Sequence, residues 1–291
     1  MKFTKMSATG NDFIVIDNRR GVVRSRAGFA RKHCPGHFAV GADGVILIER
    51  VKESKSQSVR EPRLRQDFGG QVGGQASSQR IRKNDFRMRI FNPDGSEAEM
   101  CGNGARCAAV FAYTNSIAKK QMVFQTLAGN IRASVCRDSA VMGMEGPGNM
   151  QLNKKIKVRG KNINVHHIDT GVPHTVIIRS GIDKLDLPVL SPPIRFNRAF
   201  PRGTNVDYVQ ILNRHRIKMR TYERGVEAET LACGTGALAS AIISALLGHT
   251  APPLDVVVPG GLLRVYFDMD PVRNVRLEGE AKIVYEGTIK G

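Results

Sequence analysis

Residues 97–105 read Glu97-Ala98-Glu99-Met100-Cys101-Gly102-Asn103-Gly104-Ala105, and residues 228–237 read Ala228-Glu229-Thr230-Leu231-Ala232-Cys233-Gly234-Thr235-Gly236-Ala237. Both contain Cys-Gly-x-Gly-Ala, with a glutamate a few positions upstream, Glu99 in one and Glu229 in the other. An earlier echo precedes each: Thr9-Gly10 before Asn11-Asp12-Phe13-Ile14, and Thr170-Gly171 before Val172-Pro173-His174-Thr175. Two signals repeated in the same order mark an internal duplication. From Gly10 to Cys101 is 91 positions and from Gly171 to Cys233 is 62, so the first copy needs an insertion of about 29 residues. Lys52 to Asp85 supplies it, being rich in Ser, Gln, Gly and Arg and almost without hydrophobic period. Such a stretch cannot bury enough apolar area to offset the entropy of ordering, so a flexible loop is expected there.

Around the repeated motifs the periodicity is that of short strands. Phe13–Asp17, Val45–Glu49, Phe86–Phe91, Met122–Gln125, Ile131–Val135, Val176–Arg179, Tyr208–Leu212 and Ile217–Tyr222 all read this way. After each Cys-Gly-x-Gly the pattern turns helical. Ala105–Tyr113 and Ala237–Leu247 are apolar on nearly every side, so both helices are expected to be buried. Each half is then several strands around one central helix that starts at a cysteine, an α/β (α+β) fold of two pseudo-symmetric domains.

With 291 residues, 41% hydrophobic and 24% charged, the chain has the composition of a globular protein with a sizeable core. No run approaches the roughly 20 apolar residues of a membrane span. Met1-Lys2-Phe3-Thr4-Lys5-Met6 lacks the apolar core of a secretory signal, so a cytoplasmic protein is expected. Five cysteines with no Cys-x-x-Cys pair argue against a disulfide framework and a zinc site, leaving free thiols for chemistry. Cys34, Cys107 and Cys136 lack the motif's context and are assigned to packing. His166 and His167, adjacent on a strand, point opposite ways and do not suggest a metal site. The net charge of +18 raises nucleic-acid binding as an alternative function. The excess is scattered, however: Lys52–Asp85 holds eight Lys/Arg against four Asp/Glu, with no basic run interleaved with aromatics. No nucleic-acid or membrane partner is expected.

A helix start leaves N–H groups unpaired and carries positive partial charge, so it binds a carboxylate and favours thiolate over thiol. Two such starts facing one cleft would grip a substrate carboxylate and set one sulfur on each face of its α-carbon. Removing a proton from one face and returning one to the other inverts the centre, with Cys101 and Cys233 as acid and base. Gly234-Thr235-Gly236-Ala237-Leu238-Ala239 also fits a dinucleotide fingerprint, with Asp255 near the acidic position. No strand-like run leads into it, and no P-loop pattern occurs.

The matching segments of three regions resemble the diaminopimelate epimerase family. They are Ala8-Thr9-Gly10-Asn11-Asp12-Phe13, then Phe91-Asn92-Pro93-Asp94-Gly95-Ser96-Glu97 running into Met100-Cys101-Gly102-Asn103-Gly104-Ala105-Arg106-Cys107, then Tyr222-Glu223-Arg224-Gly225 with Glu229-Thr230-Leu231-Ala232-Cys233-Gly234-Thr235-Gly236. The resemblance implies epimerization of LL-2,6-diaminopimelate to the meso form, for lysine and peptidoglycan synthesis, without metal or pyridoxal phosphate. It implies that Cys101 and Cys233 are the acid/base pair and that Gly102, Asn103, Gly234 and Thr235 hold the reacting carboxylate. Asn11, Asn92, Asn205, Glu223 and Arg224 match substrate-binding positions, and His174 is a possible supporting residue. Two departures stand out: Val172 replaces the asparagine of a frequent Gly-Asn-Pro-His, and Gly44 stands where some members have glutamine. The implied fold has its active site in the cleft between domains of residues 1–138 with 280–291, and 139–279, and homodimers occur in the family. Proline and hydroxyproline racemases are the nearest alternative, disfavoured by Asn92 and the Tyr222-Glu223-Arg224-Gly225 segment, which suit a substrate with a second charged end.

Overall fold

The computed structural model of the chain describes residues 1–51 and 84–290. The expected flexible loop at 52–85 therefore lies, but for Asn84 and Asp85, outside the described residues.

Strands β1 (Lys2–Ala8) and β2 (Asn11–Asp17) are antiparallel across the Thr9-Gly10 turn, where both residues take positive φ. Helix α1 (Arg26–His33) leads to β3 (Gly44–Glu49), parallel to β2, then to antiparallel β4 (Phe86–Phe91) and β5 (Glu97–Ala98). Helix α2 (Gly102–Thr114) crosses to β6 (Gln121–Thr126), parallel to β4, and β7 (Gly129–Cys136) and β8 (Ser139–Gly143) follow as hairpins. Strand β9 (Met150–Val158) leaves this half to pair with β10 (Lys161–Asp169).

From β10 the order repeats. Strand β11 (Pro173–Ile178), the short helices α3 (Leu187–Leu190) and α4 (Pro192–Arg195), and β12 (Asn205–Asn213) correspond to β2, α1 and β3. Then β13 (Arg216–Glu223), β14 (Ala228–Thr230), helix α5 (Gly234–Leu246), β15 (Leu254–Val258), β16 (Gly261–Asp268) and β17 (Arg273–Glu280) match β4 to β8. Each strand pairing of the first half recurs with the same direction in the second. Strand β18 (Lys282–Thr288) returns to β1 as β9 goes to β10, an exchange of closing strands between the halves. Where the halves join, β8 pairs with its own counterpart β17: Ala133 faces Met142, Val265 faces Leu277, and Met142 faces Leu277. A local two-fold axis passes through that last pair.

The register locates the insertion. Gly44 lies opposite Phe13 as Asn205 lies opposite His174, and Glu49 corresponds to Gln210. Between there and the start of the next matched stretch, Phe86 or Ile217, the first half has residues 50–85 and the second only 211–216. That excess of 30, less one extra residue between Arg220 and Glu229, is the 29 that the motif spacing demanded. The register also corrects one equivalence. Glu97, four residues before its cysteine, is the counterpart of Glu229, and Glu99 is not. Arg89 holds Glu97 through two parallel hydrogen bonds, and Arg220 holds Glu229 in the same way.

Helix α2 is buried from Asn103 to Ala112 and α5 from Gly236 to Ala245, because their small residues let strands close in on every side. Met6, Phe13, Ile46, Phe86, Ile90, Phe124 and Met142 pack on α2, and Val176, Val209, Ile217, Leu254, Val265 and Leu277 on α5. The outer faces of β2 and β3 are covered by α1 through Ile14, Ile16, Val45 and Leu47; those of β12 and β13 by α3 and α4 through Val206, Tyr208 and Tyr222. Strand β3 is thus buried on both faces, which is why its sequence is an unbroken Val-Ile-Leu-Ile run. Among the described residues no helix is long and apolar enough to cross a membrane.

Candidate active site

Cys101 and Cys233 are the N-cap residues of α2 and α5, each in extended backbone, φ/ψ −140°/120° and −124°/111°. A thiol here takes the place of the usual hydroxyl or carboxylate cap. Gly104 N–H donates to Cys101 Sγ at 3.5 Å, and Gly236 N–H to Cys233 Sγ at 3.4 Å. The second glycine of each motif is fixed by packing. A Cβ on Gly104 would lie 3.0 Å from Ile90 and 3.3 Å from Ile46, and one on Gly236 would lie 2.7 Å from Asp207 and 3.3 Å from Thr221. The first glycines differ: among the described residues nothing lies within 4 Å of a Cβ on Gly102, whereas one on Gly234 would lie 3.0 Å from Leu277. Open space is therefore at Gly102.

The expected fall in thiol pKa is not what the site produces. Burial pushes the Cys233 thiol up to about 12, with the Glu223 and Asp207 carboxylates adding to it and Thr235 and the Gly236 N–H opposing. Cys101 is also raised, again chiefly by burial, against the pull of the Gly104 and Asn103 N–H groups and of Arg106. The helix starts act in the foreseen direction, but desolvation outweighs them. Glu223, itself raised by burial, raises both thiols, so the two sulfurs lie within electrostatic reach of one carboxylate.

A chain of hydrogen bonds backs Cys233. Thr221 Oγ1 donates to Asp207 Oδ1 at 2.7 Å, and His174 Nδ1 lies 2.7 Å from Asp207 Oδ2. His174 Nε2 is 3.0 Å from Thr235 Oγ1, which is 3.4 Å from Cys233 Sγ. The direction of this chain follows from its far end. Arg224 N–H donates to Asn205 Oδ1 at 2.8 Å, so the Asn205 amide turns its Nδ2 toward Pro173 O and, at 3.4 Å, toward His174 Nε2. Nε2 facing a donor is the acceptor nitrogen, so Nδ1–H donates to Asp207 and the Thr235 hydroxyl donates to Nε2. The Thr235 oxygen is left to accept from a Cys233 S–H.

Cys101 has other neighbours. Asn103, the second residue of α2, donates through Nδ2 to Asn11 Oδ1 at 2.6 Å, and Asn11 Nδ2 donates to Asp43 Oδ2 at 3.0 Å. Arg106 Nη2 donates to Asn103 Oδ1 and to Thr9 Oγ1, both at 2.5 Å. The halves meet here. A Cβ on Gly10 would lie 2.8 Å from Leu231, two residues before Cys233, and the φ of +92° at Gly10 favours glycine in any case.

Comparison with known proteins adds the decisive observation. The family model described as "Diaminopimelate epimerase" matches residues 3–151 and 166–284. The chain belongs to the diaminopimelate epimerase family. The diaminopimelate epimerases of Hydrogenobaculum sp. and Aquifex aeolicus are 40% and 39% identical to it, each over 99% of this chain and 98% of its own length. In fold it is similar to a phenazine biosynthesis protein of the PhzF family from Bacillus anthracis (TM-score 0.66, 15% identity, covering 100% of this chain and 99% of that one). A probable proline racemase from Agrobacterium radiobacter is similar too (TM-score 0.63, 13% identity, covering 99% and 92%). As a member of the diaminopimelate epimerase family the chain is an isomerase, an epimerase by class.

Within this epimerase, hydrogen bonds join Asn11 to Asn103 in one half, and Thr235, Asn205, His174 and the Arg224 backbone in the other. Asn92 bonds only within its own turn, to Ser96, among the described residues. A Cβ on Gly44 would lie 2.9 Å from Phe91 O, so the glutamine of some members has no room here. Cys34 and Cys107 are buried as expected, but Cys136 is exposed at the end of β7, because its side chain falls on the outer face of that strand. Asp255 is buried on β15 in ion pairs with Arg216 and Arg264, already occupied and unlike a ribose-binding acid. A cleft of about 320 Å³ between α1 and the end of β18, lined by Arg24, Phe29, Lys32 and Ile289, includes none of the site residues. Arg106 and Asp207 were not singled out from sequence. Their signal was present: a lone charge inside a helix or strand that is otherwise buried.

Proposed function

We propose that the chain interconverts LL-2,6-diaminopimelate and meso-diaminopimelate without a cofactor, using Cys101 and Cys233 as paired acid and base. One thiolate takes the α-proton, and the other thiol gives its proton to the opposite face, so each turnover exchanges which sulfur is protonated. The N–H groups at Gly102, Asn103, Gly234 and Thr235 would hold the α-carboxylate and stabilise charge as the carbanion forms. Asn11, Asn92, Asn205, Glu223 and Arg224 would bind the ammonium groups and the distal carboxylate, with His174 in support. The carrying observation is the twin capping geometry: two buried helices of one duplicated fold, each begun by a cysteine, under the influence of the same Glu223. The reading takes the halves as residues 1–138 with 280–291, and 139–279, and places the enzyme in the cytoplasm as a homodimer. Its product would serve lysine and peptidoglycan synthesis, and beyond a second copy of the chain its partner would be the small amino-acid substrate, with no nucleic acid or membrane.

Cys101→Ala and Cys233→Ala test it. Each is expected to lower epimerization by roughly 10²–10⁴-fold or more while leaving the protein folded. Incorporation of solvent deuterium at the substrate α-carbon, followed by mass spectrometry, is the measurement. Full turnover in either variant would falsify the two-thiol scheme.

A further inference from the structure

Arg106 is fully buried, at 0% exposure, and pairs with no carboxylate among the described residues. Its Nη2 reaches two neutral oxygens, Thr9 Oγ1 and Asn103 Oδ1; its Nε makes a long 3.5 Å bond to Glu280 O; its Nη1 has no hydrogen-bond partner. Space was made for it: a Cβ on Gly279 would lie 2.8 Å from its Nε. A guanidinium this deep costs several kcal/mol unless an anion answers it. In the other half Leu238, five residues after Cys233 as Arg106 is five after Cys101, fills the equivalent place without charge. The fold therefore tolerates an apolar residue here, and the charge serves something else.

Three observations say what. Arg106 stands one turn along α2 from Cys101, whose thiol it pulls downward. The other ionisable groups acting on this pair are Cys107, which burial pushes up to about 12 and so keeps neutral, and Glu223, which opposes the thiolate. Arginine is also donor-only, so Asn103 must present Oδ1 to it and Nδ2 to Asn11, which fixes Asn11 with Nδ2 toward Asp43. We propose that Arg106 is a positioning residue whose guanidinium is the counter-charge of a Cys101 thiolate and whose Nη2 sets the direction of the Asn103–Asn11 pair. The duplication then yields unequal thiols: Cys101 backed by a cation, Cys233 by the hydroxyl–imidazole–carboxylate chain from Thr235 to Asp207. This rests on the proposed two-thiol function, which left open which sulfur carries the resting charge.

The experiment reads each thiol separately. Carbamidomethylation of the full-length protein across pH 6–11, with peptide mass spectrometry, gives a pH–rate profile for Cys101 and for Cys233; where a midpoint lies above that range, the alkylation rate at fixed pH, which falls about tenfold for each unit the thiol rises, gives its displacement. In Arg106→Leu, which copies the solution at Leu238, the Cys101 midpoint is expected to rise by about 1–3 pH units and KM to rise as the Asn103–Asn11 pair loses its direction, while the Cys233 midpoint stays put. Turnover below the midpoint should fall about tenfold per unit of that rise. Arg106→Lys restores a charge but not the paired geometry, so the Cys101 midpoint should return toward the parent while KM remains raised. A folded Arg106→Leu protein with an unmoved Cys101 midpoint overturns the proposal. That holds whether its KM rises, which would make the substrate carboxylate the missing anion, or only its melting temperature changes, which would make the role structural. If the parent fails to turn over diaminopimelate, the function is wrong, yet the alkylation midpoints still decide the role of Arg106.

Discussion

The two halves carry the same sheet and the same capped helix, yet the material behind the two sulfurs is inverted. Behind Cys233 lie His174, Asp207 and Thr221; at the matching registers behind Cys101 lie Phe13, Ile46 and Ile90. In return, the first half buries Arg106 where the second has Leu238. What stayed alike is what builds the frame: the Arg89–Glu97 and Arg220–Glu229 clamps, the positive-φ glycines Gly10 and Gly171, and the capping cysteines. A duplicated scaffold can thus keep its geometry while each copy changes its charges.

The largest effect on stability should come from breaking the polar chain of the second half. Asp207→Ile, which copies Ile46, leaves His174 Nδ1–H and the Thr221 hydroxyl as buried orphans. A loss of roughly 3 kcal/mol or more is expected in urea unfolding. Adding His174→Phe and Thr221→Ile completes the first half's apolar set and should recover most of the stability but none of the turnover. A single variant as stable as the parent would mean that the chain does not hold the second half together.

The shared clamps should be nearly, but not wholly, equivalent. Glu97→Ala strips Arg89 of its hydrogen-bonded carboxylate and leaves it the Phe91 ring and the charge of Glu49, whereas after Glu229→Ala the Arg220 guanidinium keeps hydrogen bonds to Ile182 O and Leu185 O. Each loss is expected at about 1.5–3 kcal/mol, the first exceeding the second, as read by thermal and urea unfolding of both variants. A reversed order would show that the retained carbonyl bonds contribute little.

Glu223 tests what the halves share by pH. Burial raises its carboxyl above the ordinary value, so the ionised form is disfavoured in the folded protein and stability drops as pH climbs through that raised pKa. Glu223→Gln removes this cost. Its melting temperature should exceed the parent's at neutral and alkaline pH, and the gap should close as pH falls toward the unfolded-state value. A gap independent of pH would locate the effect in packing.

The duplication, the capped helices and the cysteine pair were legible because each is written locally, as a motif, a spacing or a period. Arg106 and Asp207 were not, although both stand in plain view. Partners that give them meaning lie far along the chain: Thr9 is 97 residues from Arg106, and His174 is 33 from Asp207. The sign of the thiol shifts escaped for the same reason. A helix start can be read from Cys-Gly-x-Gly, whereas desolvation depends on how tightly both halves pack around it. Glu99 was set beside Glu229 although it stands two residues before its cysteine and Glu229 four; Glu97 has the matching spacing, and the strand register pairs it in the same way.

The smallest effect is expected at the longest difference. Residues 50–85 stand where the second half has only Ile211-Leu212-Asn213-Arg214-His215-Arg216, which closes β12 onto β13. Both connections join the same pair of strands at the end away from the cysteines, since Gly44 and Asn205, at the other end, are the residues beside Phe13 and His174. Replacing residues 50–85 with the six residues of the second half should therefore leave turnover within about twofold and, through the shorter connection, raise stability by no more than about 1.6 kcal/mol. Steady-state epimerization by the spliced protein is the check. If kcat collapsed while the protein stayed folded, the insertion would be part of the working enzyme, and the halves would differ in function at this point as well as in charge.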